Sequence, residues 1–411
     1  MKNPLPYSRK QLAVLLVCVG IFALGQFHRA SGSIFAPILI EHFAISAATV
    51  GGLISAMFFA TILSQMPFGF VLDKKGPRMV LTWCVFLIAF GTLVFALNYS
   101  FELSFLSRIL IGVGLASMGA ATHIIIARNF DTNDFGYVSG LVVTLGGIGG
   151  LLGTYPLAVA LENLPWLLVF GSVGAVTVVL AMAVFFSIRG DKDQEFQHAT
   201  DPSERGYVSL LKRAEFLKIL ALGFVTFAPI VTITGLWGGP FLQDVVGFSA
   251  EKTGAVLLLL FASTIVAGYT FGLMDKKVSS RRMLILVTAG VSSLSLLSLA
   301  VFNLSNAYLT VALLIAMVFF QQFYIPLGAH MRKSVPDDML GRASTLLSLV
   351  SVAAIPLMQI GFGIVLDFTD HLGFGVNDQY RFAFAGMGIL ILLGGLIYST
   401  STDADDVRNK V

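Results

Sequence analysis

The chain has 411 residues, of which 56% are hydrophobic and only 12% charged, whereas a soluble domain carries roughly 25% charged residues. A surface so poor in charge does not stay dissolved in water, which excludes an ordinary soluble enzyme or binding module and makes lipid the main solvent. The net charge of +3 says little by itself; where the charges sit says more.

The N-terminal residues Met1 to Lys10 carry Lys2, Arg9 and Lys10 and lead straight into a long apolar run. That run exceeds a signal-peptide core and lacks a small-residue cleavage pattern, so it predicts a first membrane helix. A spanning helix needs about 20 mainly apolar residues. Segments 11–37, 48–72, 79–98, 101–128, 136–162, 165–188, 216–243, 250–273, 282–302, 306–332, 341–366 and 380–400 meet that test. Cys18 and Cys84 each lie inside such a run and read as small buried side chains rather than a disulfide or metal site. The one long polar stretch, 189–215, divides the chain into a six-helix bundle over 1–188, a cytoplasmic linker, and a second bundle over 216–411.

With a cytoplasmic N-terminus, all lysines and arginines except Arg29, Arg108, Lys252 and Arg381 fall in inside loops and tails. The positive-inside rule then places both termini in the cytoplasm. The halves also look duplicated. Asp73-Lys74-Lys75 before Arg78 matches Asp275-Lys276-Lys277 before Arg282, and Arg128, Asp134 and Gly136 match Arg332, Asp338 and Gly341. The offsets lie between 202 and 205 residues, as expected of a repeated six-helix unit.

Helix 1 is the most informative segment for substrate: Gly25-Gln26-Phe27-His28-Arg29-Ala30-Ser31-Gly32-Ser33. Gln26, Arg29 and Ser33 recur at helical spacing and share a face. Arg29 lies about 27 Å along the helix axis, where a charge either faces a cavity or partner or snorkels to the outer surface. Arg108, seven residues into helix 4, is read as structural, with substrate contact as the alternative. Further cavity candidates are Trp237 in helix 7, Gln322 and Tyr324 in helix 10, and, more weakly, Gln359 in helix 11. The adjacent Gln321 and Gln322 cannot both face one cavity. No Asp or Glu interrupts the middle of helix 1, 4, 7 or 10, so the interior is biased positive toward an anionic or zwitterionic solute. Proton coupling is left to His123 or His330, each of which also reads as an interfacial histidine. Neither a phosphate-cradling loop nor a metal-ligand cluster is present in the sequence, so no cofactor and no metal are expected.

Between helices 2 and 3 runs Gly69-Phe-Val-Leu-Asp73-Lys74-Lys75-Gly76-Pro77-Arg78. It resembles the G-x-x-x-D-R/K-x-G-R/K-R/K signature of the major facilitator superfamily, and the resemblance extends over essentially the whole chain. Gly69 is expected to allow close helix contact and Gly76 to turn a very short loop. The resemblance implies a conformational latch built from Gly69, Asp73, Lys74, Gly76 and Arg78, with a degenerate copy at Asp275. Arg108-Ile-Leu-Ile-Gly112-Val-Gly114 is similar to the family's R-x-x-x-G-x-G element. The Gly-Pro antiporter signature of drug exporters is absent from helix 5, where Pro156 follows Thr154-Tyr155. Arg29-x-Ser31 followed by Ala36-Pro37 looks like the first helix of the organic-anion and sugar-phosphate branches, where such an arginine contacts the anion. At the repeat offset, helix 7 offers Thr232 and Thr234 rather than a second arginine, so a paired-arginine phosphate site is not supported.

The expectation is therefore an all-α polytopic membrane protein of 12 transmembrane helices in two pseudo-symmetric six-helix bundles. It would be a monomeric secondary transporter of a small organic anion in a bacterial inner membrane, working by rocker-switch alternating access without ATP. Its partners would be the solute, the lipid bilayer and a coupling proton, with no nucleic acid. The rival readings are a proton-coupled drug exporter and a transporter-like sensor that binds without translocating.

Overall fold

The computed structural model describes residues 7–131, 134–188, 204–274, 278, 280–302, 306–336 and 339–402. Most of the expected linker and Asp275 lie outside them. The described elements are helical throughout: α1 (Arg9–Ala30), α2 (Gly32–Phe43), α3 (Ala47–Leu97), α4 (Phe101–Leu115), α5 (Met118–Asn129), α6 (Phe135–Gly146), α7 (Ile148–Leu152), α8 (Tyr155–Asn163) and α9 (Trp166–Ser187). There follow α10 (Glu204–Leu211), α11 (Ala214–Phe224), α12 (Ala228–Thr232), a π-helical turn (Ile233–Trp237), α13 (Gly238–Asp244) and α14 (Ala250–Met274). The chain closes with α15 (Arg281–Val301), α16 (Ala307–Phe320), α17 (Tyr324–Ser334), α18 (Leu340–His371) and α19 (Val376–Ser399).

Among the described residues, eleven helices are long and apolar enough to cross a membrane. The tenth expected span, 306–332, is instead divided between α16 and α17. The long α3 holds two spans, Ala47–Leu72 and Lys74–Leu97, parted at Gly76. There φ is 74°, a left-handed conformation that glycine adopts without a Cβ clash. In lipid, only hydrogen-bonded helices satisfy every backbone group, and the side chains turned outward can be apolar. Leu63, Val176 and Phe186, and on other helices Leu294, Val301 and Phe368, are exposed in this way.

The chain forms two compact units. The first runs to Gly32 and resumes from Ala56 through α9; the second holds Ser33–Ser55 and the chain from α10 onward. In the first, α1 opens on a capping box, with the Ser8 hydroxyl accepting the Gln11 N–H while Gln11 Oε1 accepts the Ser8 N–H at 3.0 Å. Its buried stripe, which includes Ile21, Leu24, Gly25 and His28, packs on α5, α6, α7 and α9. Apolar side chains gain nothing by leaving lipid, so close helix approach comes from small residues. A Cβ on Gly149 would stand 1.8 Å from the Ala23 carbonyl oxygen, and one on Gly112 2.2 Å from that of Met57.

In the second unit, two spans are discontinuous. The seventh, expected over 216–243, is assembled from α11, α12, the π turn and α13; the tenth breaks at Gln321 and Gln322. One side chain ties the two breaks together. Gln321, fully buried, donates from Nε2 to the carbonyl oxygens of Val225 and, at 3.3 Å, Thr226, and accepts from Ser292 Oγ. Ser351 of α18 then donates to the Gly223 carbonyl at 2.9 Å, and Thr226 Oγ1 to Ser351 Oγ at 3.2 Å. Carbonyls freed by the break in the seventh span are thus met inside the protein, as a lipid-embedded break requires.

Candidate functional site

Arg29 sits one residue from the end of α1. Its neighbour His28 belongs to the buried stripe, with Nε2 3.3 Å from Thr92 Oγ1. Arg29 points elsewhere: it is exposed on its unit, and its Nη1 donates to Gln26 Oε1 at 3.2 Å. The two residues that sequence spacing put on one face are therefore brought together. The third, Ser33, has a different fate. A turn at Ser31 separates α1 from α2, and Ser33 is fully buried in the second unit, donating to the Ile233 carbonyl at 3.0 Å.

Arg108 is packed inside the first unit at 1% exposure, its guanidinium 4.0 Å from the Phe95 ring centroid. Cation–π geometry of this kind stabilises a desolvated arginine. Trp237, in the π turn, is also buried: Nε1 donates to the Gln359 carbonyl at 2.9 Å and the indole stacks on Phe362 at 5.4 Å. Gln359 in turn accepts from Ser55 Oγ at 2.9 Å. Gln322 and Tyr324 flank the break in the tenth span, both half-buried, with the Tyr324 ring 4.5 Å from that of Phe227 at the break in the seventh. Breaks in membrane helices expose backbone dipoles where solutes bind, so this pair occupies a chemically useful position.

His123 is exposed, with Nδ1 2.8 Å from the Gly119 carbonyl oxygen. His330 is buried against the Tyr398 hydroxyl. Among the expected latch residues, Gly76 makes the turn foreseen for it. Arg78 docks on the end of α9, donating from Nε to the Phe185 carbonyl at 2.9 Å and lying 4.3 Å over the Phe185 ring. Lys74 is exposed. The close helix contact expected at Gly69 is not made: a Cβ there meets nothing within 4 Å, because this face of α3 is open. The Asp73 side chain and Asp275 lie outside the described residues. Among the described residues no cluster of ligands suited to a metal is found.

Sequence reasoning missed Asp367. The expected span ended at 366, yet α18 runs on to His371. The Asp367 carboxylate accepts the backbone N–H of Ala47 at 3.0 Å and of Ala48 at 2.9 Å, at the start of α3. Close beneath it, a Cβ on Gly363 would stand 2.7 Å from the Ala47 carbonyl oxygen. The partners are 320 and 319 residues apart, so no local pattern announces them.

Eleven helices among the described residues, long and apolar enough to cross a membrane and several of them broken along their length, fit a multi-pass membrane protein. A sequence model of the Major Facilitator Superfamily matches residues 15–358, and the chain belongs to that family: it is a transporter of the twelve-helix fold, not an enzyme. The Probable L-galactonate transporter of Escherichia coli (strain K12) is 22% identical, over 95% of this chain and 89% of its own. The Multidrug resistance protein 2 of Bacillus subtilis (strain 168) is 21% identical, over 87% of this chain and 88% of its own. Among solved structures, a bacterial homolog of the human lysosomal transporter Spinster, inward-facing and occupied, superposes with a TM-score of 0.80 at 17% identity, over 98% of each chain. At that identity the likeness is one of fold.

Proposed function

We propose that this transporter carries a small organic anion, of the sugar-acid or carboxylate type, by alternating access in a bacterial inner membrane with both termini in the cytoplasm. The observation that carries the reading is Arg29: a guanidinium on a membrane helix, turned away from the packing of its own unit and held by Gln26. A planar fork of donors suits a carboxylate, which it can bind through two parallel hydrogen bonds. Within the second unit, Gln322 and Tyr324 at the break in the tenth span carry polar groups suited to a hydroxylated solute. The similarity to a probable L-galactonate transporter supports the same class. Import is preferred to export, in line with the missing antiporter signature. A coupling proton would use His123, the exposed histidine, rather than the enclosed His330.

The similarity to a multidrug resistance protein favours a second reading, proton-coupled export of lipophilic compounds. Reconstituted protein separates the two. Liposomes containing the chain should accumulate labelled aldonate or aldarate, and Arg29→Ala should sharply weaken this at low solute concentration. Efflux of lipophilic cations that is indifferent to Arg29→Ala would overturn the anion reading and favour the exporter.

A further inference from the structure

Helices α15 and α19 run antiparallel and form the most extensive helix pair in the second unit. Two cross-links fix their register. Ser293 Oγ donates to the Gly388 carbonyl at 2.8 Å, and a Cβ on Gly388 would already lie 3.0 Å from Leu297. Eleven residues back along α15, Arg282 Nη2 donates to the Ser399 carbonyl at the end of α19. Between these contacts the helices part. A cleft of about 130 Å³ opens there, lined by Leu286, Gly290, Ile391, Leu392, Gly395 and Leu396 among others, and nearly all of its lining surface is apolar. Two residues make the space: a Cβ on Gly290 or Gly395 meets nothing within 4 Å. Met283, Val287, Leu392 and Leu396 are exposed around it, so the cleft opens sideways onto the surface that lipid covers.

At one end of the cleft, beside Ser399, Arg281 and Arg282 form the first turn of α15, which holds no acid. Two cations at a helix N-terminus oppose the positive end of the helix dipole, an arrangement that an anion relieves. Arg282 is only half satisfied: its Nη2 meets the Ser399 carbonyl, while Nε is buried with no acceptor among the described residues. A buried donor left unmet calls for a partner.

We infer that the α15–α19 cleft binds an anionic glycerophospholipid, with one acyl chain between Gly290 and Gly395 and the phosphate on Arg282 Nε. The apolar length from Arg282 to Gly290 is eight residues, about 12 Å of helix, so the chain descends from the headgroup level into the hydrocarbon. Basic pockets between membrane helices on the side of the basic loops suit such headgroups. The site is distinct from Arg29 and does not depend on the solute.

The full-length protein, delipidated in detergent, tests this by thermal unfolding with phosphatidylglycerol, with phosphatidylcholine of the same chains, and with inorganic phosphate. Phosphatidylglycerol should raise the apparent Tm by at least about 2 °C by mass action, and the other two should not. Arg282→Gln and the cleft-filling pair Gly290→Leu with Gly395→Leu should each lose most of that shift. Equal shifts with phosphatidylcholine would mean bulk solvation, a shift with inorganic phosphate would mean a free-anion site, and a shift unchanged in the cleft-filling pair would place the chain elsewhere; each overturns the inference. Should the double variant fail to fold, a photoreactive phosphatidylglycerol on the wild-type protein decides: cross-links at α15 and α19 support the site, and cross-links confined to other helices overturn it.

Discussion

The carboxylate of Asp367 stands 2.9 Å from the backbone nitrogen of Ala48, and its other oxygen 3.0 Å from that of Ala47. It thereby caps a helix from 319 residues away. The first N–H groups of a helix have no partner in their own ladder. The Ser46 hydroxyl reaches the Thr49 N–H at 3.3 Å, and Asp367 takes the two that precede it. A negative charge at this end of a helix also meets the favourable end of its dipole. In a protein proposed to work by alternating access, this link between α18 and the start of α3, both in the second unit, is proposed to open when the solute enters from outside. Hydrogen bonds to charged groups are worth about 1.5–3 kcal/mol against about 0.5–1.5 for neutral ones. Asp367→Asn should therefore shift the equilibrium toward the parted state by about tenfold. The readout is modification of a Ser33→Cys probe by an impermeant maleimide, since residue 33 is fully buried in this structure. An unchanged rate in Asp367→Asn would remove Asp367 from the gate.

Arg29 contacts Gln26 and lies outside the packing of its unit. Its replacement should therefore separate function from stability. Arg29→Ala should raise the KM for an anionic solute about 10- to 100-fold, the worth of one or two charge-assisted hydrogen bonds. The melting temperature in detergent should stay within about 1–2 °C of wild type, because surface substitutions away from packing cost little. Arg29→Lys should recover only part of the affinity, because a point charge cannot reproduce the guanidinium fork. Arg108→Ala should do the reverse and lower stability first, since its guanidinium lies over Phe95 in the core of the first unit.

Composition and the twelve apolar runs made the fold readable, because the bilayer fixes both the length and the apolarity of a spanning helix. The turn at Gly76 was readable for a local reason: glycine beside proline permits few alternatives. Gln26 and Arg29 were found because helical spacing decides which neighbours meet. The same rule failed at Ser33, because α1 ends before it and spacing does not carry across a turn. Spacing gave no reason to prefer Gln322 over Gln321 as the candidate, since adjacent residues differ only in what surrounds them. Asp367 was invisible for a deeper reason. Its partners are backbone N–H groups, which every residue but proline carries, so no side-chain pattern marks them.

Glycines that look alike in sequence should respond in opposite ways. Gly149→Ala would force a methyl to 1.8 Å from the Ala23 carbonyl oxygen, a backbone atom that cannot rotate aside. Overpacking of this kind typically costs about 1–3 kcal/mol, occasionally more. The variant should lose most of its monodisperse peak in size-exclusion chromatography. Gly69→Ala has open space around it, and its peak should be unchanged. If Gly69→Ala nevertheless slowed transport, the close contact foreseen at Gly69 would belong to another state of the cycle.

The adjacent glutamines at the break in the tenth span give the sharpest contrast. Gln321 is fully buried and ties its own span to Val225 and Thr226 of the seventh, while Ser292 donates to it. Gln321→Leu nearly keeps the volume but strands those carbonyls, and each unmet buried group costs about 1–3 kcal/mol. Its Tm should fall by several degrees, and Gln321→Glu should not restore it, since a carboxylate cannot donate to a carbonyl. Gln322 is half-buried. Gln322→Ala should leave the Tm in place and raise the KM for a hydroxylated anion more than for a simple carboxylate of the same size. The comparison needs both solutes, because an equal rise for the two would mean that Gln322 shapes the break without touching a hydroxyl. A rise confined to the hydroxylated solute would assign it a direct contact, since a solute group left without its partner in a closed site loses binding selectively.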